Sequence, residues 1–203
     1  MEEVLLGDAS VVFLPVVRGL PRDGRTTREA ISATMPAVIG VSIAPEEVAA
    51  LRRYDGNPVA PENVEEEVYV AGLSAWEEPV KPPPCFTEAV KVADARKIAL
   101  EGLDLDEEAY TDAYTDCVST MELLLQGRME ARLGRKRFRA STPEAFVLEW
   151  DAEVNRTAGF ARLQKRREAH MAARLRGIAE KAPRVLAVIE VERVKGVLAA
   201  LRG

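Results

Sequence analysis

The sequence predicts an α/β fold with a mostly parallel or mixed central sheet, helices on both of its faces and a long helical insertion before the last strand. Apolar runs at 37–43, 98–105 and 184–191 alternate with stretches of helical periodicity. Such alternation is typical of parallel strands joined by helices that cover the sheet. Residues 106–181 show almost continuous helical patterning, so the last strand is expected to return to the sheet after a helical excursion.

Two more strands are predicted near the amino terminus, at 3–6 and 11–17. Pro15 has no N–H to donate to a neighbouring strand, so the second run is expected at a sheet edge or in an irregular strand. The Gly- and Pro-containing segment 19–25 predicts a loop. The residues that follow it resemble a helix cap and predict a helix at 26–33.

The middle of the chain is less regular. Residues 55–84 contain an acidic run, VEEEVYVAGL, that predicts a helix followed by a strand. The Pro-rich segment 76–84 predicts an extended connector, because successive prolines favour polyproline geometry.

Residues 1–203 are expected to form a single α/β domain. Its remaining helices are predicted at 45–54, 87–97, 107–132, 143–155, 160–181 and 193–203.

Composition and charge limit the classes of protein to consider. The net charge of −5 over 203 residues argues against nucleic acid as the default partner. The acidic start of the chain lacks the basic segment of a signal peptide, and its apolar runs are shorter than a membrane span, so a cytoplasmic protein is expected. Two cysteines are too few for a disulfide framework. Abundant Arg and Glu with sparse amides suggest a heat-adapted source.

Candidate site residues follow from the rule that open α/β sheets bind ligands beyond the carboxyl ends of their strands. This rule selects four segments, which are Gly7-Asp8-Ala9-Ser10, Ser42, Glu101 to Asp104, and Glu190 to Arg193. Glu190 and Glu192 follow the most apolar strand. They could orient a ligand or hold an ion, or they could begin a helix, with Arg193 in an ion pair.

Glu101 and Asp104 lie in an apolar strand, where a carboxylate is costly unless it is paired. Each could act as a general base or metal ligand, or could pair with an arginine of the basic helix at 160–181. Arg167 shares its helix face with apolar side chains. It is therefore expected to need a carboxylate partner, for which Glu101, Asp104 and Glu190 are the candidates.

His170 is the only histidine, so sites that need two or three histidine ligands are not possible within one chain. The sequence has no glycine-rich dinucleotide fingerprint and no phosphate-binding loop, so it identifies no cofactor. The basic helix could contact phosphate or RNA. Interleaved acids and the absence of stacking aromatics favour an ion-paired, solvated face instead.

Segments from both ends and the middle of the chain occur in an order known from one protein group. Residues 5–10 join a strand to Gly7-Asp8-Ala9-Ser10, 35–43 place Met35-Pro36 before an apolar strand, and 100–104 end an apolar strand in an acid. Residues 167–172 read Arg-Glu-Ala-His-Met-Ala, and 187–193 lead from a strand into Glu-Val-Glu-Arg. This order resembles the TraB/ChaN group, which includes Tiki-type proteases and erythromycin esterase-like proteins.

The resemblance implies a site in which group residues have been replaced. Ser10 stands where the group has the histidine of a Gly-x-x-His turn, Ser42 stands for a glutamate, and Glu190 and Arg193 stand for the Gly and His of a second such turn. The catalytic candidates in a rebuilt site are Glu101, Asp104, Arg167, Glu190 and Arg193. The ligand-binding candidates are Asp8, Ser10, Ser42, Glu168 and His170.

Three functions remain open from the sequence. The first is a non-catalytic or diverged TraB-like protein that binds a partner or small ligand at the carboxyl edge of the sheet. The second is a hydrolase that uses carboxylates and arginine, with a divalent cation held by Glu101, Asp104, Glu190 and Glu192. The third is an RNA-associated protein. The long predicted helices 107–132 and 160–181 also suggest a homo-oligomer.

Overall fold

The computed structural model describes residues 1–57 and 59–203. Pro58, within the segment predicted to be irregular, lies outside the described residues. The strands are β1 (Glu2–Leu6), β2 (Ala9–Val16), β3 (Val38–Val41), β4 (Ala99–Gly102) and β5 (Arg184–Glu190). The helices of the described part are α1 (Pro21–Thr34), α2 (Pro45–Arg52), α3 (Val64–Leu73), α4 (Pro84–Arg96), α5 (Glu107–Cys117), α6 (Thr120–Leu133), α7 (Pro143–Val154), α8 (Ala158–Ala179) and α9 (Val191–Arg202).

The five strands form one mixed sheet in the order β1-β2-β5-β3-β4, which confirms the predicted α/β class. β1 is antiparallel to β2, and β2, β5, β3 and β4 run parallel to one another. The last strand therefore returns from the helical excursion into the middle of the sheet, between β2 and β3. The carboxyl ends of the four parallel strands all lie at the same edge, called the carboxyl edge below.

Two apolar layers cover the sheet. On one face, α1, α2 and α4 pack against side chains such as Val41 and Val188. On the other face, α8 and α9 pack against side chains such as Ala187 and Ile189. β5 is buried on both faces after its first residue, since side chains alternate along a strand and both sides are covered.

A third apolar cluster lies beyond the carboxyl end of β2. It joins Tyr69 of α3 to Phe146 and Trp150 of α7, with Val17 beneath them. The rings of Tyr69 and Trp150 meet edge to face with centroids 4.9 Å apart, and the Trp150 indole N–H donates to the Glu65 carbonyl at 3.2 Å. This cluster holds α3 and α7 above the carboxyl edge.

The structure corrects several predicted boundaries. α1 begins at Pro21 inside the predicted loop, because Pro suits the first turn and the Asp23 carboxylate accepts a 2.7 Å hydrogen bond from the Val17 N–H. The run 64–73 is helical throughout, with Asn63 as its cap. The predicted helix 107–132 is broken before α6, because Ser119 and Glu122 form a capping box.

β2, which contains Pro15, lies between β1 and β5 in the sheet. The expectation that this strand is irregular or at the sheet edge is therefore wrong. The pairing of β1 with β2 runs only from Ala9 to Phe13. Pro15 therefore lies where β2 pairs with β5 alone, and its missing N–H interrupts no ladder. Among the described residues, every helix is either too short or too polar to cross a lipid bilayer.

Gly102→Ala is expected to lower the free energy of unfolding by about 1–3 kcal/mol. A Cβ at Gly102 would lie 2.7 Å from the Pro45 backbone nitrogen and 2.8 Å from the Ile43 carbonyl oxygen, so the backbone would have to move. Gly177→Ala is the control, because nothing lies within 4 Å of its Cβ position and alanine favours the helix. Chemical denaturation of both variants measures the difference; equal stabilities would contradict the close approach of β4 to α2.

Candidate functional site

Charged and polar side chains follow each of the parallel strands at the carboxyl edge. Arg18 comes after β2, Ser42 after β3 and Asp104 after β4, while Glu190 ends β5. The Ser42 hydroxyl accepts a 3.0 Å hydrogen bond from the Glu190 N–H, which ties the end of β3 to the end of β5. Because these strands are parallel neighbours, the four residues lie along one rim.

Arg167 reaches this rim from α8. Its Nε donates to Asp104 Oδ2 at 3.0 Å, and its Nη1 donates to Gln164 Oε1 at 2.7 Å. Burial opposes the charge of the guanidinium, but Asp104 and then Glu190 outweigh it and raise the pKa of Arg167 above its usual range. The prediction that Arg167 needs a carboxylate partner is confirmed, and that partner is Asp104.

Arg18 lies among two carboxylates and an aromatic ring. Its Nε is 2.8 Å from Glu190 Oε1, but that N–H has no partner in hydrogen-bonding geometry among the described residues. Its Nη2 is 3.9 Å from Glu192 Oε1, and its guanidinium lies 5.3 Å from the Tyr69 ring centroid. Although burial opposes the charge, Glu190, Tyr69 and Glu192 raise the pKa of Arg18.

Glu192 is a buried acid beside the rim. Its side chain is only 3% exposed, and its Oε2 has no hydrogen-bond partner in the described part of the chain. Burial, followed by the nearby charge of Glu190, raises the pKa of Glu192 to about 7. Glu192 thus shares the Arg18 guanidinium with Glu190, and its raised pKa places the titration of Glu192 near neutral pH.

A cavity of about 690 Å³, called the Arg18 cavity below, opens beside this rim. The Pro-rich connector forms one wall, held in place by a 2.8 Å hydrogen bond from the Val80 N–H to the Gly19 carbonyl. Lys81 of the connector pairs with Glu62 at 3.0 Å and Glu66 at 2.9 Å. The lining combines Arg18, acids, aromatic rings and apolar groups, including Glu47, Glu65, Tyr69, Val70, Glu78, Phe86 and Trp150.

Four of the predicted site residues meet at the carboxyl edge, namely Ser42, Asp104, Arg167 and Glu190. Glu101 does not join them, because it lies within β4 and pairs with the half-exposed Arg174 at 2.8 Å.

Arg193 and Glu168 serve the packing of helices. The buried Arg193 pairs with Glu168 at 3.1 Å and with Asp151 of α7, joining α9 to α8 and α7. His170 is half-buried on α8 and does not line the Arg18 cavity.

The prediction that Asp8 and Ser10 lie at the carboxyl edge is wrong. Because β1 and β2 form an antiparallel hairpin, the end of β1 lies at the opposite edge, where Ser10 pairs with Arg184, the first residue of β5. The Ser10 hydroxyl donates to Glu3. Asp8 lines a separate, open depression of about 650 Å³.

The structure gives no support for the alternative of a divalent cation held by Glu101, Asp104, Glu190 and Glu192. Among the described residues, no group of three or more His, Cys, Asp or Glu side chains is arranged to hold a metal ion. The reason is that separate arginines pair with Glu101, Asp104 and Glu190. Their carboxylate oxygens are directed towards guanidinium groups instead of converging on one point.

The sequence does not single out Arg18, Tyr69 or Glu47, which all line the cavity. Arg18 follows an apolar strand, and that position could have identified it by the same rule that selected Asp104 and Glu190. Tyr69 lies in a segment predicted to change from helix to strand, which gave no reason to place its ring beside Arg18.

Compared with models of known protein families and with curated proteins, the chain matches none. Function is therefore inferred from the geometry of the rim and the Arg18 cavity.

Glu192→Gln is expected to stabilise the protein above pH 7 by up to about 3 kcal/mol, since each pKa unit corresponds to about 1.4 kcal/mol. Between the ordinary glutamate value of 4.5 and about 7, the folded chain binds this proton more tightly than the unfolded chain. Wild-type stability therefore falls as pH rises through this window, and the glutamine removes that loss.

Unfolding in urea at pH 5, 6, 7 and 8 measures the effect of this substitution. Glu67→Gln, at an exposed position of α3, controls for the loss of one negative charge. A constant difference between wild type and Glu192→Gln across these pH values would be inconsistent with the raised pKa.

Proposed function

We propose that this chain binds a small organic ligand in the Arg18 cavity at the carboxyl edge of its sheet. The observation that carries the proposal is the position of a cavity of about 690 Å³ beside the strand ends where Arg18, Glu190 and Glu192 meet. Ligand sites in open α/β sheets lie at such ends, and cavities of roughly 300–1,000 Å³ suit small molecules.

The lining supports a neutral or cationic ligand with an apolar body. Five glutamates line the cavity, against the two basic residues Arg18 and Lys81, so a polyanion would be repelled. Tyr69, Phe86 and Trp150 offer rings against which an apolar body can pack. Arg18 offers N–H donors that fix the position of one polar group.

Binding is better supported than the other two functions. Metal-dependent hydrolysis would require acids that converge on a cation, whereas Glu101, Asp104 and Glu190 pair with separate arginines. Recognition of RNA would require free basic side chains on α8. Most of them contact groups of the same chain, namely Arg162, Arg166, Arg167, Arg174 and Arg176.

We also propose that the chain is a diverged relative of the TraB/ChaN group. In support of this kinship, Arg167 of the late helix contacts Asp104, and its pKa also responds to the charge of Glu190. The position of Ser10 argues against an exact match to the first Gly-x-x-His turn of the group, because Ser10 lies at the edge of the sheet opposite the carboxyl edge. A solved group member with a different order of strands in its sheet would rule the kinship out.

The binding proposal is tested by filling the cavity. A fragment library with neutral, amine, carboxylate and phosphate members is screened by ligand-observed NMR against wild type and Val70→Phe. Val70 lines the cavity on α3, so the larger ring should abolish binding of the fragments that occupy it. Val64→Phe is the control, since Val64 lies on the same helix, is 39% exposed and does not line the cavity.

Neutral and amine fragments should bind wild type and Val64→Phe but not Val70→Phe. The proposal fails if no fragment binds, or if the bound fragments have the same affinity for wild type and Val70→Phe. Preferential binding of the phosphate fragments would contradict the proposed ligand class.

A further inference from the structure

The outward face of α6 exposes apolar side chains that no part of the same chain covers within the described residues. Met121, Leu124 and Leu125 are 63%, 74% and 37% exposed. They recur at the spacing of one helix face, and Arg128 continues the same stripe. An exposed apolar stripe on a helix is typical of an interaction surface.

Strong capping interactions define the start of α6, so the exposure of its apolar side chains does not result from a frayed helix end. Ser119 and Glu122 form a capping box, in which the Ser119 N–H donates to Glu122 at 2.9 Å. Glu122 also accepts a 2.7 Å hydrogen bond from the Gly159 N–H at the start of α8. The amino-terminal half of α6 is thus fixed to the body of the protein with its apolar stripe facing outward.

Charges of opposite sign flank the apolar stripe. Before it, α5 carries four acids and no basic residue. After it, residues 128–139 carry six basic residues and one acid. Along the chain, the order is therefore acidic, apolar and basic.

We propose that the outward face of α6 binds the same face of a second copy of this chain. In an antiparallel pair centred near Leu124, the apolar stripes cover each other. The basic segment after Arg128 of each copy then faces the last turns of α5 in the other copy, which carry Asp112 and Asp116. Asp116 also pairs with Arg166 of its own chain at 2.8 Å. A surface with this order of charges is complementary to itself under a two-fold axis, as closed dimers require.

The first test is the oligomeric state of the full chain, measured by light scattering on a sizing column over a range of concentrations. Wild type should have about twice the chain mass of 22.3 kDa. Leu124→Glu should be monomeric with an unchanged circular dichroism spectrum. Leu148→Glu should remain dimeric, because Leu148 is 48% exposed but lies on a different helix, α7.

Arg128→Glu tests the charge arrangement. It should weaken the dimer by roughly tenfold or more, because a like charge would then face the acids of the other copy. An unchanged dissociation constant would contradict the antiparallel register.

The second test is independent of any loss of folding. A residue near a two-fold axis meets its own copy, so Leu124→Cys should form a disulfide-linked dimer under mild oxidation. Leu148→Cys should not, and the native Cys85 and Cys117 are both buried. A monomeric wild type, a dimer that Leu124→Glu leaves intact, or equal cross-linking at positions 124 and 148 would each overturn the proposal.

Discussion

The pairing of arginine side chains with buried carboxylates at the carboxyl edge is the constraint on which the rest of the structure depends. Four parallel strands end at this edge, and the return of β5 to the centre of the sheet places Glu190 between the ends of β2 and β3. Asp104 then needs Arg167, and Glu190 needs Arg18. Asp104 and Glu190 are buried, and leaving a buried charge without its partner costs up to about 3–5 kcal/mol, so α8 and the segment after β2 are held in one arrangement.

This arrangement also makes the Arg18 cavity. Arg18 follows β2 and stays near Glu190, so α3 and the connector close over it without filling the space beside it. Glu192, which lies near Arg18, has one carboxylate oxygen without a hydrogen-bond partner among the described residues, an arrangement that folding alone does not require. Buried polar groups without partners are uncommon in native proteins, and their position beside a cavity is consistent with a binding role.

The pattern of apolar and polar residues predicts most of the architecture and part of the site. The apolar runs predict all five strands, and the rule of strand ends correctly places Ser42, Asp104 and Glu190 at the carboxyl edge. It fails for Ser10, because the rule applies to parallel strands and periodicity does not reveal that β1 turns back on β2. It also fails for Glu101, whose side chain projects from within β4 to Arg174. Which acid pairs with which arginine depends on the order of strands, and no local pattern encodes that order.

The most direct test of the account is a double-mutant cycle between Asp104 and Arg167, using Asp104→Asn and Arg167→Met and measuring unfolding in urea. The same cycle on Glu101 and Arg174, with Glu101→Gln and Arg174→Met, is the control, since those side chains are 40% and 46% exposed. The account predicts a coupling energy of about 2 kcal/mol or more for Arg167 and Asp104, whose side chains are 21% and 7% exposed, and less than about 1 kcal/mol for the more exposed pair. Additive effects at Asp104 and Arg167 would contradict it.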